Sequence, residues 1–377
     1  MNDKSNLDIT SNSRTYTFAD MGKKYRNFYA PSCRILVGGE DIFDMGAQIS
    51  SVTVDHSILK ACACSLVAIQ VPGERKTRPI EQIFVPEYPV EVYLGYENSL
   101  EAVFMGSVTN LGVSFSQSGF PEVTVGCSDF SHLLMAGSNY LLCEKEQFAS
   151  FTDVVTKILF DYLDGSRLVK CVVEEVETTR KPPFKQKGKS DYSFIKGFAD
   201  QDHIDFYISG PNIYYHERRA SGKPVVELVW GESLKSFRGD INTAKLVSDV
   251  EVKGWDKKKS FSVSASIDDV KDKVCSGKMF DFVEKAFENK AKLTVETQLK
   301  DKEAAEKQAK ETLIERNKDF FSASGGCVGI PQIMAGRFIC LEGLGDLLSG
   351  DYFITDAKHT LNSSGYSTGF TVVEAHG

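Results

Sequence analysis

Four groups of residues in this chain of 377 amino acids have the types that chemistry requires. Cys62-Ala-Cys64 places two thiols on one face of an extended segment, and Cys127, Cys143 or Cys171 would have to complete a metal site. The spacing is not that of a Cys-x-x-Cys knuckle and no paired histidines accompany it, so these thiols read as small buried apolar groups. His359 has Asp351 and Asp356 nearby in sequence, as general acid–base work would need, but no nucleophile or second ligand is specified, and it reads as a hydrogen-bonding structural residue. Glu342 with Asp346, or Glu174, Glu175 and Glu177, have the composition of a glycosidase carboxylate pair. They read as loop and surface acids, because no separate lysozyme-like insertion is present. The last group is basic: Lys181, Lys185, Lys187 and Lys189 lie in a run with two prolines and a glycine, which predicts an exposed, extended loop that is either solvated or docks an acidic partner. The expectation is no catalytic residue, no cofactor and no metal.

The elements that must carry these residues change character along the chain. Residues 1–27 are rich in Asn, Ser, Asp and Lys and read as a flexible arm able to order on a neighbouring subunit. From Cys33 to about Leu134 the pattern has period two, with a Gly38-Gly39 turn and alternating runs at Val90, Val92, Leu94 and Val103 to Val108, predicting a small antiparallel barrel over 28–136. Val154, Val155, Ile158 and Leu159 then fall at helical spacing behind Ser150 or Thr152, and a second helix begins near Ser190 with Phe194, Ile195 and Ala199 on one face. Ile204, Phe206 and Ile208 alternate up to a Gly210-Pro211-Asn212 turn, making 137–224 an α+β unit. Strands over 225–264 and 326–377 predict a second barrel split by a helical insertion at 265–325. Within it residues 291–321 lack Gly and Pro, predicting a helix roughly 40 Å long with favourable Glu-to-Lys pairs four apart. That helix is either solvated or uses Ala305 and Ala309 for close approach to a second subunit, with Leu313 seating its end.

Bulk properties exclude several classes. Forty-four basic against fifty-two acidic side chains give a net charge of -8, which argues against general binding to nucleic-acid phosphate or an anionic membrane. No apolar run of about 18 residues exists and the first fourteen residues are polar, so no stable membrane association is expected. Nine scattered cysteines read as free thiols.

Against this background the C-terminal series Gly329-Ile-Pro331, Ala335-Gly336, Leu341-Glu-Gly343-Leu-Gly345, Ser349-Gly350-Asp-Tyr352 and Gly365-Tyr366-Ser-Thr368 resembles the end of the late control gene D family, the baseplate hub proteins of contractile phage tails and related injection systems. Ser190-Asp-Tyr-Ser-Phe194-Ile195, then Phe206-Tyr207, is similar to the helix-then-strand signature of that family. Val92-Tyr-Leu94-Gly95-Tyr96 and Gly126-Cys-Ser-Asp129 match more weakly. The family also resembles the first part of the type VI secretion spike, and because the chain stops at Gly377 a separate spike protein is expected.

The resemblance implies an α+β, β-rich fold of two barrels around an α+β domain, and a non-enzymatic homotrimer whose two barrels per chain give pseudo-sixfold symmetry. Such a hub would adapt the sixfold tail tube to the threefold central spike, touch wedge components, and pass a tape-measure protein or cargo through its lumen. It would be made in the bacterial cytoplasm and assembled into the baseplate. The competing expectations are a peptidoglycan-hydrolysing baseplate component and a monomeric glycan- or receptor-binding β protein.

Overall fold

The computed structural model describes residues 4–9, 14–69, 78–115, 121–144, 146–163, 167–176, 182–202, 204–217, 221–256, 259–274, 277–288, 292–297, 302–317 and 320–375. Within the expected flexible arm, Ser5–Leu7 forms a 3-10 turn and Phe18–Lys24 a helix, α1, opened by a reciprocal capping box between Thr17 and Asp20. The arm is not free: Leu7, Ile9, Met21 and Tyr25 are each no more than 4% exposed. It has few apolar side chains, but nearly every one is seated, and its backbone pairs with later elements, as in Tyr16 N to Val225 O at 3.1 Å.

Strands β1 (Pro31–Val37), β2 (Glu40–Asp41), β3 (Gln48–Ser57) and β4 (Ala63–Ile69) are followed by a one-turn helix, α2 (Ile80–Ile83). Strands β5 (Pro89–Tyr96), β6 (Ser99–Ser114) and β7 (Glu122–Ser128) complete the first half. Their period-two pattern is what burial follows, with Val52, Val54, Cys64 and Leu66 inside and Thr53, Asp55, Ser65 and Val67 less so.

The α+β unit contains α3 (Ser131–Met135), β8 (Asn139–Cys143), α4 (Phe151–Asp161), β9 (Lys170–Val173), β10 (Phe184–Lys189), α5 (Asp191–Gln201), β11 (Ile204–Ser209) and β12 (Asn212–Glu217). Ser150 and Ser190 cap α4 and α5 as their sequence positions predict, each accepting the N3 backbone N–H. Phe151, Phe184, Phe194 and Phe198 form an aromatic cluster at the centre of this separate core.

The second half opens with β13 (Pro224–Val229) and β14 (Leu234–Ile241). The insertion then starts earlier than expected, because β15 (Asp249–Asp256) and β16 (Lys259–Ser266) pair with an unexpected strand, β17 (Lys292–Thr297), in a sheet of their own. Helices α6 (Lys271–Val274), α7 (Gly277–Glu288) and α8 (Lys302–Asn317) complete it. The single long helix expected over 291–321 is therefore a strand followed by sixteen helical residues, roughly 24 Å. The β-branched Thr294 and Val295 favour the strand, parallel to β15, over helix propensity. Strands β18 (Phe321–Val328), β19 (Phe338–Glu342), β20 (Gly350–Asn362) and β21 (Gly365–Glu374) return to the main sheet.

The two halves expected as barrels are hydrogen-bonded to each other in one thirteen-stranded sheet through β3 and β20, paired from Val52–Leu361 to Ser57–Asp356. Within each half the pairing order is the same: β1-β5-β6-β7-β4-β3 in the first, β13-β19-β20-β21-β18-β14 in the second. The correspondence extends to the irregularities. A bulge lies between Ile49 and Ser51 on β3 and between Leu234 and Ser236 on β14. Another lies between Val108 and Asn110 on β6 and between Ile354 and Asp356 on β20. The halves differ where β1 runs antiparallel to β5 but β13 runs parallel to β19.

Candidate functional site

Three places bring buried polar residues of this fold together, and one is where the arm, the middle unit and the second half meet. Arg337 follows Gly336, whose φ of +86° turns the chain into β19. Its guanidinium is held by oxygens of the arm and of its own loop: Nη1 donates to Asn6 Oδ1 at 2.9 Å and to Gln332 O at 3.1 Å, and Nη2 donates to Asn6 O at 2.7 Å. Asn6 completes the clamp by donating from Nδ2 to Ala102 O at 2.9 Å and Pro331 O at 3.1 Å. Burial pushes Arg337 down to about 10, so it keeps its charge at neutral pH with carbonyl dipoles as its immediate neighbours. The same arm reaches the middle unit, where Ser209 Oγ donates to Leu7 O at 3.0 Å and Tyr214 OH to Asp8 Oδ1 at 3.1 Å. It acts as a strap across all three units.

Next to it, at the β3–β20 seam, lie His56 and His359, their rings 5.7 Å apart and edge to face. His359 Nε2 donates to Ile333 O at 3.0 Å, which leaves the single lone pair of Nδ1 to the Tyr366 and Thr368 hydroxyls, at 2.9 and 3.0 Å. Thr368 Oγ1 in turn accepts Ile330 N at 3.0 Å. Burial pushes His359 down to about 4, and burial with the neighbouring His359 and Arg337 pushes His56 to about 3. Both rings are therefore neutral, and His359 has both nitrogens engaged. It fastens the Gly329–Arg337 loop to the sheet, as its sequence reading anticipates.

The third place is the ribbon of β8 and β10, where Asp191 at the start of α5 accepts from Gln186 Nε2 at 2.7 Å, Tyr162 OH at 2.7 Å and Asn139 Nδ2 at 2.9 Å. A cleft of about 440 Å³ lined by these four residues, Lys157 and Asp161 opens beside it. Lys185 and Lys187 are exposed on β10 opposite Leu142 and Tyr140, and Lys189 pairs with Asn139. The expected basic loop is thus a strand, formed because Phe184 and Gln186 alternate inward; Lys181 lies outside the described residues. Tyr140 is 83% exposed, so the ribbon's outer face combines an aromatic with lysines.

Ala305, Ala309 and Leu313 lie on α8 fully buried against β15 and β16, so the approach that the alanines permit is to the sheet of their own chain. Asn317 locks the helix end by exchanging hydrogen bonds with Val247 N and O, both at 2.9 Å. Cys64 faces Cys127 across β4 and β7, both free and buried, and Cys62 is likewise free and buried. Cys143 is a free, buried thiol and Cys171 a free, half-buried one. Glu342 ends β19, and Asp346, Glu174 and Glu175 are exposed; Glu177 lies outside the described residues. Arg337 and Asn6 are the residues that sequence reasoning passed over, and Asp191 enters it only as part of the helix-opening motif. A lone Arg before the apolar run Phe338-Ile-Cys was the available signal for the first.

No helix among the described residues is long and apolar enough to cross a membrane. Comparison with known proteins yields no match among curated sequences. Among solved structures, a 43 kDa tail protein of prophage MuSo2 from Shewanella oneidensis is 15% identical with a TM-score of 0.66, covering 92% of this chain and 99% of that one. A tail protein from Neisseria meningitidis MC58 is 13% identical with a TM-score of 0.65, covering 92% of this chain and 97% of that one. The E. coli c3393 protein, described as a component of the type VI secretion system with structural similarity to T4 tail proteins gp27 and gp5, is 10% identical with a TM-score of 0.58. It covers 90% of this chain and 76% of its own. The structural neighbours are thus phage-tail and tail-like proteins, in keeping with the hub resemblance read from the sequence. A family model described as the Alg8 N-terminal domain matches residues 29–363, and the chain belongs to that family, built on a fold that it shares with phage tail proteins.

Proposed function

We propose that this protein is the structural hub of a contractile-tail baseplate, a homotrimer that joins the sixfold tail tube to a threefold spike. The observation that carries the reading is the duplicated half-sheet joined by β3 and β20, in a fold shared with phage tail proteins. Two matching units per chain, taken three times, supply six quasi-equivalent positions for the tube and keep three for the spike. The buried strap and histidine seam support a mechanical role, since their hydrogen bonds tie the units together. The lysine-bearing ribbon is the face we assign to an acidic wedge component. Imaging of isolated tails carrying a tag on this chain tests the reading: threefold density at the baseplate centre, with wedge density against the ribbon, is expected. Tag density along the tube or at the distal tail end would overturn it.

A further inference from the structure

The β3–β20 seam has a counterpart that this chain leaves open. Strand β20 pairs with β19 over Gly350–Phe353, and β3 occupies the same edge from Asp356 to Leu361. Strand β6 pairs with β5 only up to Ser107, and from Asn110 to Ser114 its described pairing is with β7 alone. Val108 still bonds the segment before β5, its N to Tyr88 O and its O to Glu87 N; beyond it, no described strand pairs with the edge of β6 that corresponds to the one β3 covers on β20. Strand β14, the equivalent of β3, ends the sheet and pairs with β18 over Ser236–Ile241.

The shared bulges fix which residues correspond. Asn110 and Asp356 each follow the bulge on β6 and β20, and Ser51 and Ser236 each follow the bulge on β3 and β14. Counting through the intervening strands gives the same answer, since Val113 pairs with Val123 and Ala68 with Val123, while His359 pairs with Thr368 and Cys327 with Thr368. Transferring the seam register onto the open edges places Leu111 opposite Ile241, Gly112 opposite Asp240, Val113 opposite Gly239, Ser114 opposite Arg238 and Phe115 opposite Phe237.

The side-chain parity of this register agrees with the existing seam. In the seam Val52, Val54, His56, His359 and Ala357 face inward and are buried, while Asp55 and Lys358 face out and pair at 3.5 Å. On the open edges the inward positions hold Phe115, Val113, Leu111, Phe237, Gly239 and Ile241, and the outward ones hold Ser114, Arg238 and Asp240. Phe115 is 79% and Val113 60% exposed, where their counterparts on β20 are the half-buried Leu361 and the fully buried His359. A one-residue slip would reverse that parity.

We infer that the β6 edge from Asn110 to Phe115 pairs antiparallel with the β14 edge, Phe237 to Asn242, of a second copy of this chain. The contact is head to tail, so it closes a ring when the copies surround an axis. The inference rests on the ring assembly proposed above and names its interface.

The test is cross-linking of the full-length chain carrying Ser114→Cys together with Arg238→Cys, which the register sets directly opposite, at the roughly 4.5–5.5 Å between Cβ atoms of a cross-strand pair. Mild oxidation is expected to give a covalent ladder that ends at three copies. Ser114→Cys with Asn242→Cys, four residues out of register and roughly 13 Å away, is expected to give none, as are the single variants against the background of native thiols. Phe115→Glu is expected to keep the circular dichroism of the wild type and to run at the mass of one chain. Wild-type assembly without the Ser114–Arg238 link, equal linking of the out-of-register pair, or unimpaired assembly of Phe115→Glu would overturn this interface while the ring reading stood. A wild-type chain that stays monomeric and unlinked would overturn both.

Discussion

Acid should loosen this protein through His56 and His359 before its carboxylates titrate. Both rings are buried in the folded chain, held to about 3 and about 4, whereas an exposed histidine titrates near 6.5. A depressed histidine contributes stability that is fully present above pH 6.5 and is lost as pH falls toward the folded value, because the unfolded chain takes up protons that the folded chain refuses. Each group costs about 1.4 kcal/mol per pH unit in that window, so two units of acid below 6.5 remove at most about 5 kcal/mol for the pair. That is comparable with the whole stability of an ordinary domain, about 5–15 kcal/mol. The assay is urea unfolding followed by circular dichroism at pH 7, 5.5 and 4.5, at one protein concentration, for wild type and His359→Gln. Glutamine can still donate to Ile333 O but does not titrate, so the variant should lose about 1.4 kcal/mol less per pH unit between 6 and 4.5. In the variant His56 keeps the largest cause of its depression, burial, and loses only the push from His359. Parallel pH profiles for the two would refute the assignment of neutral, buried imidazoles to the seam.

Three further substitutions probe the strap, the loop and the insertion. Asn6→Ala removes one acceptor and two donated hydrogen bonds at the buried guanidinium, and should cost about 1–3 kcal/mol while speeding proteolysis within residues 1–28, read by mass spectrometry of the fragments. Gly329→Ala would set a Cβ 2.0 Å from the Tyr366 ring, whose hydroxyl is tied to His359, so a lower melting temperature equivalent to about 1–3 kcal/mol is expected in calorimetry. Ala309→Glu forces a carboxylate between α8 and its sheet, and should lower thermal stability by more than about 2 kcal/mol; an unchanged melting temperature with an altered assembly mass would instead place Ala309 between subunits.

The sequence was most legible where a local rule decides the structure. Ser150 and Ser190 announced their helices because a hydroxyl before an apolar 3.6-residue pattern has one efficient use, and the Gly210-Pro211-Asn212 turn announced the β11–β12 hairpin. Non-local decisions were hidden. The pairing of β3 with β20 joins residues about 300 positions apart, and nothing near Val52 or His359 specifies it. The duplication of the halves was legible only as two β-rich regions, since Val113 stands where His359 does and Gly326 where Val67 does; what the halves share is pairing order and bulge position. The arm misled because composition averages over Asn, Ser and Lys, while Leu7, Met21 and Tyr25 individually find sites in the core. Residues 291–321 misled because helix propensity was summed across Thr294 and Val295, where the edge of β15 was waiting for a strand.

The central claim is that copies of this chain close into a threefold ring, and the solution mass tests it most directly. Light scattering on the eluting peak of purified protein should give three times the 41.8 kDa chain mass, about 125 kDa, unchanged over a tenfold dilution. A stable dimer or tetramer would contradict the account, because neither gives six matched half-sheets around one axis.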